Sequence, residues 1–220
     1  MKKIITAAAA LTMAVTLAGC GSKSSSSSGS KDNTPADMYI SREAFSKDYT
    51  DVEDAGKGPL LTIESVTAKP GDVAQVAVCV ETPDKNWSAC GLHIAYSDAL
   101  ECELADDDQS VKCVLGEACG TNPLTSSMEW QNELPEDIAA AGRNLFFFAA
   151  VLGESDGTSG KIATFYFKVP EDAESGTVYD LDYYYYSTDL SKDMFAAADG
   201  EASYEKYAFS HCTGGTITVE

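Results

Sequence analysis

The chain is short of positive charge, of histidine and of long apolar runs, and each shortage closes off a class of function. Lys and Arg number 15 against 35 Asp and Glu in 220 residues, a formal net charge of −20. No basic block interrupts the carboxylates, so polyanions such as nucleic acid or anionic lipid headgroups are not expected as partners. The two histidines, His93 and His211, stand far apart and no Cys-x-x-Cys pair accompanies them, which does not look like a metal site. Asp106-x-Asp108-x-Ser110 with Glu117 has the acid spacing of a calcium loop, but Val111 occupies the sixth position, where the sharp turn needs glycine. Ser-His-Asp catalysis needs three groups brought together, and His93 falls in mid-strand. With 35 acidic residues, carboxylate pairs for glycoside cleavage could be picked at will and carry no information. The expected function is binding, not catalysis.

What is present begins at the N-terminus. Lys2 and Lys3 precede an apolar run from Ile4 to Ala18, shorter than the roughly 20 residues of a membrane span. It has the form of a secretory signal. Leu17-Ala18-Gly19-Cys20 resembles a bacterial lipobox, which implies removal of residues 1–19, acyl chains on Cys20 and a lipid-anchored protein on the extracellular face of the cell membrane. Residues 20–58 read as the lipidated cysteine, a flexible tether running through Ser24 to Ser28, and an acidic lead-in. A short helix around Ser41 to Tyr49 is all the structure expected there. Nothing later is long and apolar enough to span a membrane. The other six cysteines, Cys79, Cys90, Cys102, Cys113, Cys119 and Cys212, allow 15 disulfide connectivities, and the sequence does not choose among them.

Residues 59–220 are enough for one domain with a proper core, and their apolar pattern has period two between Gly, Pro and Asp turns. The spacing predicts strands at Leu60 to Ala68, Val73 to Val80, Cys90 to Tyr96, Leu100 to Leu104, Ser127 to Glu133, Asn144 to Leu152, Ile162 to Val169, Thr177 to Tyr186 and Thr216 to Val219. Nine strands at this spacing make an all-β, two-sheet antiparallel β-sandwich. Ala74, Val76, Val78 and Val80 are expected inward, as are Leu92, Ile94, Tyr96, Met128, Trp130, Ala163, Phe165, Phe167 and Val169. Two stretches break the pattern of a sheet with one wet face. Leu145 to Leu152 is apolar at every position, and Tyr183 to Tyr186 puts rings on both faces. The second face must be covered, by a loop, by the lead-in or by a partner.

Four segments then resemble a cohesin, the receptor module of cellulosome-type assemblies, over essentially all of residues 60–220. They are Ile63-x-x-Val66 with Pro70-Gly71-Asp72 and Val76-x-Val78, then Cys90 to Ser97 with Leu100-Glu101. Phe165-x-Phe167-Lys168-Val169 with Ala173 and Gly176, and the closing Gly214 to Val219, complete the set. The resemblance implies a nine-stranded jelly roll whose third, fifth, sixth and eighth strands form a face for a dockerin, a small helical module with its own calcium. The chain itself then needs no cofactor. Carried over strand by strand, that face holds Gly91, His93 and Ala95, then Ser127, Glu129 and Gln131, then Phe146, Phe148 and Ala150, then Asp180, Asp182 and Tyr184. Relatives carry Asn and Asp where this chain has Ala89 and Gly91, which implies a more apolar interface centred on Phe146 and Phe148. A carbohydrate-binding β-sandwich is the alternative, although sugar platforms favour exposed tryptophan and the chain has only Trp87 and Trp130.

Overall fold

Alternation along Val73–Glu81, and along Gly160–Lys168 from Ala163 onward, puts Ala74, Val76, Val78 and Val80 against Ala163, Phe165 and Phe167, all buried. The computed structural model describes residues 39–40, 59–82, 86–129, 133–154, 156–186, 193–197, 203–204 and 211–220, which belong to one unit, Pro35–Glu220. In chain order its strands begin with β1 (Tyr39–Ile40), β2 (Leu60–Ile63), β3 (Val66–Ala68), β4 (Val73–Glu81), β5 (Trp87–Ser97) and β6 (Glu101–Cys102). They continue with β7 (Cys113–Leu115), β8 (Pro123–Glu129), helix α1 (Glu136–Ala140), β9 (Arg143–Leu152), β10 (Gly160–Lys168) and β11 (Val178–Tyr183). β12 (Tyr185–Tyr186), β13 (Met194–Ala197), β14 (Ser203–Tyr204), β15 (His211–Thr213) and β16 (Gly215–Val219) follow. The segment expected to be helical around Ser41 to Tyr49 lies outside the described residues.

Two sheets face each other. The first runs β15-β2-β4-β10-β6, with β7 also on β10. In the second, β8, β9, β5, β11, β16 and β3 follow in order, and β13 and β14 continue along the β5 edge beyond β11. The expected all-β sandwich is present, and its core combines Leu61, Val76 and Phe165 of one sheet with Leu92, Phe146 and Ile217 of the other.

The predicted first strand, Leu60 to Ala68, is two strands in different sheets. β2 pairs with β4, and after Glu64 and Ser65 the chain crosses over so that β3 lies on β16. The last strands make the same crossing beside it, β15 parallel to β2 and β16 parallel to β3. These parallel pairs, unexpected in an antiparallel reading, join β15 and β16 to β2 and β3, one pair in each sheet. The crossing point requires Gly214-Gly215: a Cβ on Gly214 would overlap the Asp182 carboxylate, and one on Gly215 the Glu64 carbonyl. The Lys69 to Asp72 turn forms as expected, with Gly71 at φ 80° and the Asp72 amide donating to the Lys69 carbonyl at 3.0 Å.

Other boundaries shift. The predicted fourth strand shrinks to β6, and the stretch expected as loop holds β7 and the start of β8. Thr177 to Tyr186, expected as one strand, stops at Tyr183. β12 then leaves the sheet to pair with β1, and β13 resumes the ladder on β5. Cys79, Cys90, Cys102, Cys113 and Cys119 are free thiols. Burial raises Cys90, Cys102 and Cys119 above the ordinary 9.0, Cys119 to about 12.

Candidate functional site: the outer face of the second sheet

Register decides which side chains reach this face. Directly opposed residues of an antiparallel pair share a face, and β5 opposes β9 as Leu92↔Phe148, Ile94↔Phe146 and Cys90↔Ala150. Leu92 and Ile94 lie in the core, so Phe146, Phe148 and Ala150 lie there too, each 0% exposed. Phe146 stacks at 4.7 Å between ring centres on Phe165, and Phe148 meets Phe165 edge-on at 5.6 Å. The placement of these three residues on a partner-facing surface is therefore corrected: they bind the two sheets together. Their alternates Leu145, Phe147, Ala149 and Val151 point outward.

The same register corrects β8. Ser127 and Glu129 oppose Phe148 and Phe146, so they turn toward the inner side, where Ser127 Oγ donates to the Val111 carbonyl at 2.7 Å. The Tyr96 hydroxyl donates to Glu129 Oε1 at 2.9 Å. Met128, expected inward, opposes Phe147 on the outer side and is 40% exposed. Leu124 is on the same side and 64% exposed. At this edge strand the first sheet no longer fully covers the inner positions, so polar residues occupy them with hydrogen bonds and apolar ones turn out. Gln131 and Trp130 lie outside the described residues.

Gly91, His93 and Ala95 do point away from the core, as do Asp180 and Asp182, but most of them are covered. Asp182 pairs with Arg143 at 2.9 Å, and the same guanidinium donates to the carbonyls of Ala95 and Asp180. Tyr184 packs with Ala95, Leu145 and Ile138 of α1 in a small second core, with Leu134 at its margin. The Tyr184 hydroxyl donates to Asp137 Oδ1 at 2.7 Å and its amide to the His93 carbonyl at 3.1 Å. The cover that the apolar Leu145 to Leu152 run demanded is thus, at Leu145, a helix of the same chain together with Tyr184. Sequence reading missed α1. Its signals were Pro135 at the start, Glu136 and Asp137 in the first turn and Gly142, at φ 64°, past the end.

His93 marks the boundary between the covered and open halves. Its ring lies 4.8 Å from that of Phe147, and its Nδ1 is 2.5 Å from the Asp193 carboxylate, with both side chains fully buried. It has no access to a substrate, and the pair pins the start of β13 to β5. On the Gly91 side of His93 the face is apolar: among the described residues Leu124, Ser126 and Met128 on β8 are exposed, Ala149 and Val151 on β9, Ala89 on β5 and Met194 and Ala196 on β13 are half-buried, and Gly91 is buried.

The remaining alternatives find little support in this geometry. Trp87 is fully buried, its Nε1 donating to the Thr158 carbonyl at 2.9 Å, so it offers no ring to a sugar. Gly153-x-Ser155-x-Gly157 has the spacing of a hydrolase nucleophile elbow, but it joins strand β9 to strand β10, not strand to helix. In the Asp106 to Ser110 loop, Asp107 accepts from the Gln109 and Ser110 amides and from the Ser110 hydroxyl, so that carboxylate serves to fold its own turn.

No protein-family profile matches the sequence, nor does any curated protein. Solved structures do match. A type III cohesin module from a cellulosomal cell-surface anchoring scaffoldin of Ruminococcus flavefaciens is 24% identical, covering 77% of this chain and 92% of its own, with a TM-score of 0.56. A type I cohesin of Pseudobacteroides cellulosolvens is 19% identical over 74% of this chain and 92% of its own, at 0.52. A type I cohesin-dockerin complex from Clostridium thermocellum gives 14% over 74% and 99%, at 0.51. These matches place the two-sheet sandwich of this chain in the cohesin fold.

Proposed function

We propose that the chain is a cohesin that captures a dockerin-bearing enzyme or scaffold subunit for polysaccharide degradation, held on the outer surface of the cell membrane by lipid on Cys20. The observation that carries this reading is the apolar half of the outer face, with Leu124 and Met128 exposed on its edge strand. Apolar patches of this kind mark interaction surfaces. Several solved relatives of the same fold are complexes with dockerins. The signal-like N-terminus, the lipobox-like Leu17 to Cys20 and the serine tether supply the membrane attachment. Calcium belongs to the partner on this reading, and the chain contributes no cofactor site.

The test is calorimetric titration of the full chain, in detergent, against recombinant dockerins from the same genome, with calcium and again with chelator. One-to-one binding to a subset, lost on chelation, is the expected result. A folded chain that binds none of them would refute the reading. Radiolabelled fatty acid incorporation that disappears in Cys20→Ser checks the anchor separately.

A further inference from the structure

We infer that this face accepts a single amphipathic helix, seated on the Leu124, Met128, Ala149 and Val151 strip, because α1 and Tyr184 already occupy the space a second helix would need. The inference rests on the docking reading above and narrows it to one partner geometry. From β8 across β9 and β5 to β13 there are three inter-strand steps of about 4.8 Å, so the open strip is about 14 Å wide. Leu124 and Met128 are four residues apart along β8, again about 14 Å. A helix with its side chains is about 10–12 Å across, so one fits and two do not. On the Ala95 side of His93 the sheet is roofed by Ile138, Leu134 and Tyr184, held down by the Tyr184 to Asp137 hydrogen bond.

The strip also defines the chemistry of its occupant. Small, half-buried residues at its centre, Ala89 and Ala149, leave room for large side chains from the other side, so the partner helix presents an aliphatic or aromatic stripe at positions i, i+3 and i+4. Among the described residues β5, β8 and β13 carry no Lys or Arg, and the one cation of β9, Arg143, is engaged by Asp182. Glu154 and Asp156 stand at the Val151 end of the strip, and Glu133 and Glu136 beside its covered end. The occupant is therefore a dockerin-type helix whose apolar stripe is flanked by Lys or Arg.

The experiment measures affinity of the full chain for a calcium-loaded dockerin that binds it. The variants are Leu124→Asp and Ser126→Arg on the strip, and Ala139→Arg and Ala140→Arg on the solvent side of α1. Both strip variants are exposed positions, so melting temperature is expected to hold while affinity falls at least tenfold, as for interface anchors. The α1 variants are expected to bind within twofold of the parent, and association is expected to slow as salt rises. Tight binding by both strip variants, or its loss in either α1 variant, would overturn the single-helix footprint while leaving dockerin capture intact. Salt-independent association would overturn the basic flanks alone. Failure of the parent chain to bind any dockerin would instead remove the docking reading, and this inference with it.

Discussion

Phe148 meets Phe165 edge to face across the two sheets and is wholly withdrawn from water. Truncating it leaves a cavity where two sheets interlock, so Phe148→Ala is expected to cost about 3–5 kcal/mol, read from denaturant unfolding. Binding measured under conditions where the variant is still folded should be near that of the parent, because the ring reaches no surface. A Phe148 variant that unfolds at the parental midpoint would show that the register is wrong. Its neighbour Phe147 lies on the other side of the strand, against His93. The sequence could not separate the two, because every position from Leu145 to Leu152 is apolar and period two has nothing to contrast. Only the pairing of Leu92 with Phe148 settles it.

At the scale of elements, α1 is five residues long and too short to persist without tertiary contacts. Its attachments are Ile138 in the second core and the Tyr184 hydroxyl on Asp137. Tyr184→Phe keeps the ring and removes the hydrogen bond, at an expected cost of about 1 kcal/mol. Amide exchange should then rise at Ala139 and Ala141, whose amides donate to Pro135 and Asp137, while β4 and β10 stay protected. A rise spread evenly over all strands would mean that the bond serves global stability instead. The elements legible from sequence were those with one wet and one dry face: β4 and β10 follow from Val76, Val78, Phe165 and Phe167 alternating with Gln75, Ala77, Thr164 and Tyr166. The break between β2 and β3 was not legible, because apolar spacing from Leu61 to Val66 survives a crossing between sheets. The parity of β8 misled because hydrogen bonds to Ser127 and Glu129 let polar groups take inner positions at an edge. Of the expected face, Gly91, His93, Ala95, Asp180, Asp182 and Tyr184 were given the right side of the sheet. That their neighbours would be roofed by α1 depends on a contact between segments far apart in sequence.

The whole sandwich also has a response to pH that follows from where its thiols lie. Cys90 and Cys102 are raised chiefly by burial and secondarily by nearby Cys119 and Glu129 respectively. Cys119 is pushed to about 12, again mainly by burial, with Cys113 and Glu117 adding to it. The Tyr96 phenol is raised by burial and by Cys102 and Glu129. In the unfolded chain these thiols titrate near their ordinary 9.0, so above that pH the unfolded state sheds protons that the folded state retains. The unfolded state then binds fewer protons, and stability falls as pH rises. The contribution is complete below about pH 9 and is lost progressively as pH climbs through the folded values. The melting temperature is therefore expected to drop on the alkaline side of pH 9, and a Cys90→Ala, Cys102→Ala, Cys119→Ala triple variant, whatever its own stability, should show a shallower drop. Parallel slopes for parent and variant would mean that other groups govern the alkaline limb. Alkylation in native buffer should leave these three thiols unmodified and react with all three once the chain is unfolded, since the buried thiols are neither ionised nor accessible.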